Sequence, residues 1–158
     1  MANFEELFGY WNKYLDTLAR DAPQRDVEFN VSMFGGPELA DDLAALIVSG
    51  KKTAGSGLVK DYEVCGDELP ALGNYTIVLN SDESPVCITH LTKTKISKFK
   101  DVGEDVAIAE GEGDLSLEYW RNAHVKFFTP SLIALGIKDL DHEDVITEFF
   151  EVVFSIKN

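Results

Sequence analysis

Cysteine, histidine and long apolar runs are all scarce in this sequence of 158 residues, and each scarcity excludes a class of protein. The two cysteines, Cys65 and Cys87, lack CxxC spacing, so we expect a reduced pair rather than a disulfide or a zinc site. The three histidines, His90, His124 and His142, are equally scattered. The sequence therefore predicts no metal and no other cofactor.

Membrane and secretion signals are missing as well. No stretch of 18 consecutive apolar residues occurs, and the first 20 residues lack a basic segment followed by an unbroken apolar run. We therefore expect no membrane association and a cytoplasmic location. Because 45% of the residues are apolar and 11% are aromatic, the chain can still build the core of about one compact domain.

Positive charge is scarce as well, since the sequence has 14 Lys and Arg residues against 28 Asp and Glu residues, which gives a formal net charge of −14. This balance argues against tight, indiscriminate binding of nucleic acid, because phosphate contacts supply most of that affinity. Half of the basic residues nevertheless fall between positions 51 and 100: Lys51, Lys52, Lys60, Lys93, Lys95, Lys98 and Lys100. Such a zone can hold a short strand or a nucleotide, although lysines on a strand edge also discourage aggregation.

The spacing of apolar residues predicts an α+β domain, because several strands are joined by tight turns and accompanied by helices. Helices are expected at residues 3–20, 37–49, 103–109 and 116–128. Strands are expected at 74–80, 86–96 and 146–156. The turn SDESP joins the first two as an antiparallel hairpin, and the connector 21–36 has one short extended piece at 27–34.

The run AEGEGDLSLEYW at 109–120 alternates acids with glycines just before a helical segment, the acids being Glu110, Glu112 and Asp114. A calcium loop starts with similar spacing, but it needs Gly and Glu where this chain has Leu115 and Arg121. Asp114 is a candidate N-cap for the helix. No such role explains Glu112, and a carboxylate between two glycines lies on backbone that can approach a ligand closely.

The sequence resembles the ASCH domain in five segments: GKKTAGSG, ELPALGNYTIVLN, PVCITHLTKTKISKFKDV, AIAEGEGDLSLEYWRNAHVKFF and FFEVVFSI. The resemblance covers about residues 33–156. It implies a PUA-like mixed or antiparallel β-barrel flanked by helices, with an N-terminal helix and connector at 1–32 and the ASCH domain at 33–158. It also implies a cleft near the Gly-Lys-Lys-Thr segment that suits RNA or a modified nucleoside.

One branch of that family removes the acetyl group from N4-acetylcytidine, and a Lys, a Thr three residues later and a Glu before the later helix are thought to act together. The resemblance assigns the Lys to Lys52 and the Glu to Glu112, whereas the Thr position holds Gly55. Glycine can be neither a nucleophile nor a proton carrier, so catalysis here would need the hydroxyl of Ser56 or Thr53.

Three functions stay open at this point. The first is binding of RNA or a modified nucleotide in a cleft lined by Lys52 and Glu112. The second is hydrolysis of an acylated nucleoside or of single-stranded RNA. Another branch of the family is associated with cleavage of single-stranded RNA, and Tyr62 could support that reaction here. The third is protein interaction through the first helix, with a second copy of the chain, and thus a homodimer, as a candidate partner.

The residues proposed to contact a ligand come from the basic zone, the acidic run and the helix after it. They are Lys51, Lys52, Tyr62, Lys93, Glu110, Glu112 and Trp120. Two of these assignments have a purely structural alternative. Lys52 and Glu112 can form a salt bridge without a ligand, and Trp120 can either stack on a base or fill the core.

Overall fold

The computed structural model describes residues 2–156, so positions 1, 157 and 158 of the two predicted domains lie outside the described residues. Within that range the helices are α1 Phe4–Leu15, α2 Gly36–Val48, α3 Val59–Cys65, α4 Glu104–Glu110 and α5 Leu117–Leu135. The strands are β1 Phe29–Ser32, β2 Ala54–Leu58, β3 Tyr75–Leu79, β4 Pro85–Lys98 and β5 Asp144–Ser155. The domain boundary between residues 32 and 33 stays a prediction.

The five strands form a mixed sheet in the order β1-β3-β4-β5-β2. β1 runs parallel to β3, whereas β3 pairs antiparallel with β4 as the predicted hairpin, and β2 pairs antiparallel with β5. The predicted α+β class, a barrel-like mixed sheet flanked by helices, is confirmed. Within the described residues, hydrogen bonds do not close this strand order into a ring.

The chain divides into two compact units, and the long strands β4 and β5 contribute to both. One unit comprises Met1–Gly50, Gly73–His90 and Glu151–Asn158, and the other comprises Lys51–Leu72 and Leu91–Phe150. Every candidate site residue from the sequence belongs to the second unit.

Helix α1 builds the core of the first unit. Its N-cap is Asn3, whose side-chain oxygen accepts a hydrogen bond from the Glu5 N–H at 3.0 Å. The apolar face of the helix packs on β3 and β4 in a buried cluster of Leu7, Tyr10, Trp11, Tyr14, Leu15, Tyr75, Ile77, Leu79 and Ile88. Phe4 and Phe8 stay exposed. Recruitment of a partner or a second copy by this helix stays a prediction.

The helix ends at Leu15 rather than at residue 20. The Arg25 guanidinium donates to the carbonyl oxygens of Leu15, Leu18 and Ala19 at 2.9, 3.2 and 3.0 Å. The Leu15 and Ala19 carbonyls also accept from the N–H groups of Leu18 and Ala22, at 3.0 and 3.1 Å, so isolated turns and the Arg25 side chain replace a further helical turn. The extended piece predicted in the connector forms β1.

Helix α5 builds the core of the second unit with α4, β2 and β5, in a buried cluster of Leu58, Phe99, Val102, Val106, Ala107, Trp120, Phe128 and Val145. The helix continues through Pro130 to Leu135, past its predicted end at residue 128. A proline normally ends or kinks a helix. The following turn is held because Leu132 packs on the cluster and the Ser131 hydroxyl donates to Asp61 at 3.0 Å.

Strand β2 and helix α3 are absent from the sequence-based prediction. Two glycines in the β2 sequence AGSGL lower its intrinsic strand propensity, and the strand forms through its pairing with β5. In that register Gly55 lies opposite Glu148, and Ser56 lies opposite Thr147. Because side chains alternate along a strand, Ser56 and Thr147 share one face of the sheet, and Gly55 and Glu148 share the other.

Between residues 2 and 156, no helix has both the length and the apolar character that crossing a membrane requires.

Candidate functional site

The end of α4 lies directly against the backbone that leads into β2. At Gly111, where φ is +68°, an added Cβ would lie 2.0 Å from the carbonyl oxygen of Lys51. The N–H and the hydroxyl of Thr53 both donate to the Ala109 carbonyl oxygen, at 2.7 and 3.1 Å. Glycine alone permits both the left-handed φ and so close an approach. The first glycine of the acidic run therefore docks that run onto the Lys52 segment.

The second glycine turns the chain into α5. Gly113 has φ +59°, and an added Cβ there would lie 2.5 Å from the Tyr119 ring. The prediction that Asp114 caps α5 is wrong, because the left-handed φ of +67° at Leu115 delays the start of the helix. The cap is Ser116, whose hydroxyl accepts from the Tyr119 N–H at 3.0 Å. Hydrogen bonds from Ser116 lower the pKa of the Asp114 carboxyl.

Lys52 is a buried lysine, and its side chain is only 2% exposed. Its Nζ lies 3.0 Å from Glu112 Oε2, 3.4 Å from Glu110 Oε1 and 3.5 Å from the Glu110 carbonyl oxygen. An ammonium group has three protons, so each proton has an acceptor nearby. The structure thus brings Lys52 and Glu112 together and adds a second acid that is buried with them.

Glu110 holds this network together, and four side chains surround its carboxylate. Oε1 lies 3.4 Å from Lys52 Nζ and 3.3 Å from His124 Nε2. Oε2 accepts from the Ser56 hydroxyl at 2.8 Å and from the indole N–H of Trp120. Burial by itself raises the pKa of Glu110, but the hydrogen bond and charge of His124, the charge of Lys52 and the indole hold it below its usual value. Glu110 is therefore an ionised carboxylate with both oxygens satisfied.

Trp120 and His124 approach Glu110 from one face of α5, four residues apart. Their rings are stacked with centroids 4.1 Å apart, and His124 Nδ1 lies 2.8 Å from the Trp120 carbonyl oxygen. Trp120 also contacts the Phe99 ring and is 3% exposed. Trp120 therefore belongs to the core, which is the structural alternative for this residue, and its ring is not presented to solvent.

Ser56 connects β2 to the same network. The Ser56 hydroxyl has one proton, which it donates in a hydrogen bond to Glu110. In the 2.8 Å contact between the two hydroxyls, Thr147 is therefore the donor and Ser56 the acceptor. Thr147 is itself buried. Hydrogen bonds thus run from Thr147 to Ser56 and on to Glu110, on the face of β2 that meets the core.

Glu112 is the acid of this network that reaches solvent, with a side chain that is 22% exposed. Its Oε2 pairs with Lys52, and its other carboxylate oxygen has no hydrogen-bond partner among the described residues. A cavity of about 10 Å³ adjoins Glu112 and is lined also by Tyr119 and His124, which gives room for about one water molecule. A larger ligand therefore has to reach Glu112 from its exposed side.

On the face of β2 opposite to Ser56, the residue that pairs with Glu148 is a glycine. Gly55 faces Glu148 without a side chain. Glu148 is half-buried, and its carboxyl group makes no hydrogen bond within residues 2–156. Burial raises the pKa of Glu148 to about 7, while the charge of Lys52 opposes the rise and the charge of Glu110 adds to it.

Tyr62 of α3 covers the next glycine of this face. An added Cβ on Gly57 would lie 3.4 Å from the Tyr62 ring, which is ordinary van der Waals contact. Burial raises the pKa of the Tyr62 phenol to about 12, with further rises from the charges of Glu148, Asp61 and Asp67. Tyr62 is therefore a neutral phenol that forms one wall beside Gly57.

The remaining predicted residues lie on the surface. Lys51 and Thr53 are exposed, and so is Lys93, whose Nζ lies 5.1 Å above the centroid of the Phe149 ring. Ligand contacts by Lys51, Lys93 and Tyr62, and catalysis by Thr53, stay predictions. Within the described part of the chain, no group of three or more His, Cys, Asp or Glu side chains is arranged to hold a metal ion.

The sequence analysis misses three residues here: His124 and Thr147, which belong to the network, and Glu148, which lies on the other face of the sheet. Each of these residues has a sequence feature that can be recognised once the structure is known. His124 follows Trp120 by four residues, which places both on one face of a helix. Thr147 and Glu148 are adjacent polar residues between the apolar residues Ile146 and Phe149 of the final strand, where buried polar groups need partners.

The chain belongs to the ASCH-domain family, since the family model described as the ASCH domain matches residues 30–154. The chain is similar to an ASCH domain from Lactobacillus crispatus JV V101 that has a crystal structure. The two sequences are 32% identical, the match covers 94% of each chain, and the TM-score is 0.87. A protein from Enterococcus faecalis V583 is 28% identical over 95% of this chain and 89% of its own, with a TM-score of 0.80. None of the curated proteins matches this chain. The family predicted from the sequence is confirmed.

The docking role of Gly111 predicts an unequal cost for two Gly→Ala substitutions. Gly136 also has a left-handed φ, +65°, but an added Cβ there meets nothing within 4 Å. We expect Gly136→Ala to cost about 1–2 kcal/mol of unfolding free energy through backbone strain alone. Gly111→Ala should cost about 1–3 kcal/mol more, because its Cβ collides with the Lys51 carbonyl. Urea unfolding of both variants measures the difference, and equal losses would contradict the close approach.

Proposed function

We propose that this protein binds RNA or a modified nucleoside at Glu112, which Lys52 positions from inside the fold, and that the base rather than the phosphate meets the Glu112 carboxylate. The observation that carries the proposal is the state of the Glu112 carboxylate. Lys52 orients one oxygen at 3.0 Å, while the other oxygen is left without a partner among the described residues on a side chain that reaches solvent. A carboxylate that is fixed in position and has one oxygen without a hydrogen-bond partner can accept from an N–H group such as the exocyclic amine of a base.

The charges around Lys52 support a base over a phosphate. All three ammonium protons of Lys52 already have acceptors, and both Glu110 and Glu112 lie within 3.4 Å of its Nζ. A phosphate placed there would meet two carboxylates for one lysine. The phosphate of a bound strand is better placed near an exposed lysine of the same unit, such as Lys93.

Membership of the ASCH family supports the same class of ligand, because the resemblance found in the sequence implies a cleft for RNA or a modified nucleoside near Lys52. The burial of Glu110 and the partial exposure of Glu112 support separate tasks for the two acids. Glu110 fixes the lysine from inside the fold, and Glu112 meets the ligand.

This division predicts opposite phenotypes for two matched substitutions. Glu112→Gln should weaken binding of cytidine and short single-stranded RNA at least about tenfold, since it removes the charge that orients Lys52 and accepts the ligand's N–H. Its melting temperature should fall by only a few degrees, because Glu112 is partly exposed, Gln still offers Lys52 an acceptor, and Glu110 remains as the buried counter-charge. Glu110→Gln should lower stability by about 3–5 kcal/mol, because it leaves a buried lysine with less compensating charge.

Calorimetry with a panel of nucleosides and short RNAs measures the affinities, and thermal unfolding measures the stabilities. Glu118→Gln is the matched control, because Glu118 is exposed in the first turn of α5. If Glu112→Gln binds every ligand like the wild type and loses stability like Glu110→Gln, the Lys52–Glu112 pair is a structural salt bridge and the proposal is wrong.

Hydrolysis of an acylated nucleoside or of single-stranded RNA is the second candidate, and one contact favours it. The Ser56 hydroxyl lies 2.8 Å from the Glu110 carboxylate, a distance at which a carboxylate can accept a proton from a nucleophile. Against it, Ser56 lies on the core-facing side of β2, and the side chains around Glu110 hold its pKa below its usual value, which makes its carboxylate a weak base. Binding therefore stays the first proposal.

We expect the wild-type protein to deacetylate N4-acetylcytidine slowly or not at all, because Gly55 supplies no hydroxyl. Gly55→Thr should raise the rate if the neighbouring geometry suits the reaction. The assay follows release of cytidine by chromatography, with Ser56→Ala and Thr53→Ala alongside. Brisk turnover by the wild type that disappears in Ser56→Ala would make Ser56 the nucleophile and contradict this expectation.

A further inference from the structure

We propose that Glu148 is a further ligand-binding residue of this site and that it meets the ligand as an uncharged carboxylic acid. This inference rests on the proposed function, since it deepens the account of the site around Lys52 and Glu112. It assigns a role to a residue that the sequence analysis did not consider.

The position of Glu148 in the sheet is the first support. It lies opposite Gly55 in the β2–β5 pairing, so no side chain from β2 stands beside its carboxyl group. The next glycine of that face, Gly57, is covered by Tyr62. The pairing therefore leaves Glu148 without a cross-strand side chain at Gly55, and the Tyr62 ring lies beside the next glycine.

The lack of a partner is the second support. Glu110 has four donors around its carboxylate, and Glu112 has Lys52, yet the Glu148 carboxyl has no hydrogen bond from any described residue. Half-burial removes part of the hydration of this carboxyl group, so a hydrogen-bond partner would stabilise it. A bound ligand can supply that partner.

The surrounding charges decide its protonation. Three titratable groups face Glu148 from separate elements: Lys52 before β2, Glu110 at the end of α4, and Tyr62 on α3. Lys52 is already shared between Glu110 and Glu112. Burial, opposed by Lys52 and aided by Glu110, raises the pKa of Glu148 to about 7. Glu148 thus carries a proton for much of the range below neutral pH.

An uncharged carboxylic acid has one donor and one acceptor side by side. It matches a ligand edge that offers an acceptor next to an N–H group, such as the N3 and N4 atoms of cytosine. An ionised carboxylate accepts from the amine but repels the ring nitrogen beside it. Protonated Glu148 therefore selects a nucleobase or amide edge, and the Glu112 carboxylate accepts a separate N–H.

A ligand-free experiment tests the protonation. Because the pKa of Glu148 is raised from 4.5 to about 7 in the folded protein, its contribution to stability is fully present below pH 4.5 and is lost as pH rises through about 7. Glu148→Gln is uncharged at every pH, so its melting temperature should rise relative to that of the wild type between about pH 4.5 and 7, and the difference should stay constant above pH 7. Glu151→Gln is the control on the same strand, since Glu151 is exposed. A difference between Glu148→Gln and wild type that does not change with pH would overturn the inference.

Binding of cytidine between pH 5.5 and 8.5 tests the contact. Wild-type affinity should be level below about pH 7 and fall by up to roughly tenfold per unit above it, as the required proton is lost. Glu148→Gln keeps one donor and one acceptor, so it should bind at every pH without that fall. Glu148→Ala should bind roughly tenfold more weakly at low pH. The Glu151→Gln profile should follow the wild type.

The outcomes separate this inference from the proposed function. If the wild type binds cytidine with a level pH profile and Glu148→Ala binds as well, Glu148 does not touch the ligand, while the proposal for Glu112 stands. If neither cytidine nor any short RNA binds the wild type at any pH, the proposed function and this inference are both wrong.

Discussion

The site depends on the burial of one ammonium group, that of Lys52. Removing a charged lysine from water costs several kcal/mol unless counter-charges and hydrogen bonds compensate it. Glu110 and Glu112 supply the compensation, and both come from the chain segment that Gly111 docks against the Lys51 carbonyl. A backbone contact that only glycine permits therefore determines where two carboxylates and a lysine meet.

The two acids have different surroundings, and the proposed binding site depends on this difference. Glu110 is surrounded by Lys52, Ser56, Trp120 and His124, and its carboxylate has no capacity left for a ligand. Glu112 shares the same lysine but keeps one oxygen without a described partner and a solvent-facing edge. Preorganisation of this kind is what binding sites gain from a rigid inner layer of hydrogen bonds.

The sequence predicts every helix except α3, the β3–β4 hairpin and the Lys52–Glu112 contact, because amphipathic periodicity and the family resemblance carry that information. It misses β2, since AGSGL forms a strand only through its pairing with β5. Glu148 becomes a site candidate only once that register places it opposite Gly55. His124 and the buried position of Glu110 likewise depend on how α5 packs, and no local pattern fixes that packing.

The most direct test of the account is a crystal structure of the protein with cytidine bound. The account predicts that the exocyclic amine lies about 3 Å from a Glu112 carboxylate oxygen, with Lys52 still joined to Glu110 and Glu112. Cytidine bound away from Glu112, or no cytidine in the site at saturating concentration, would contradict the claim that this buried lysine and its acids form a base-binding site.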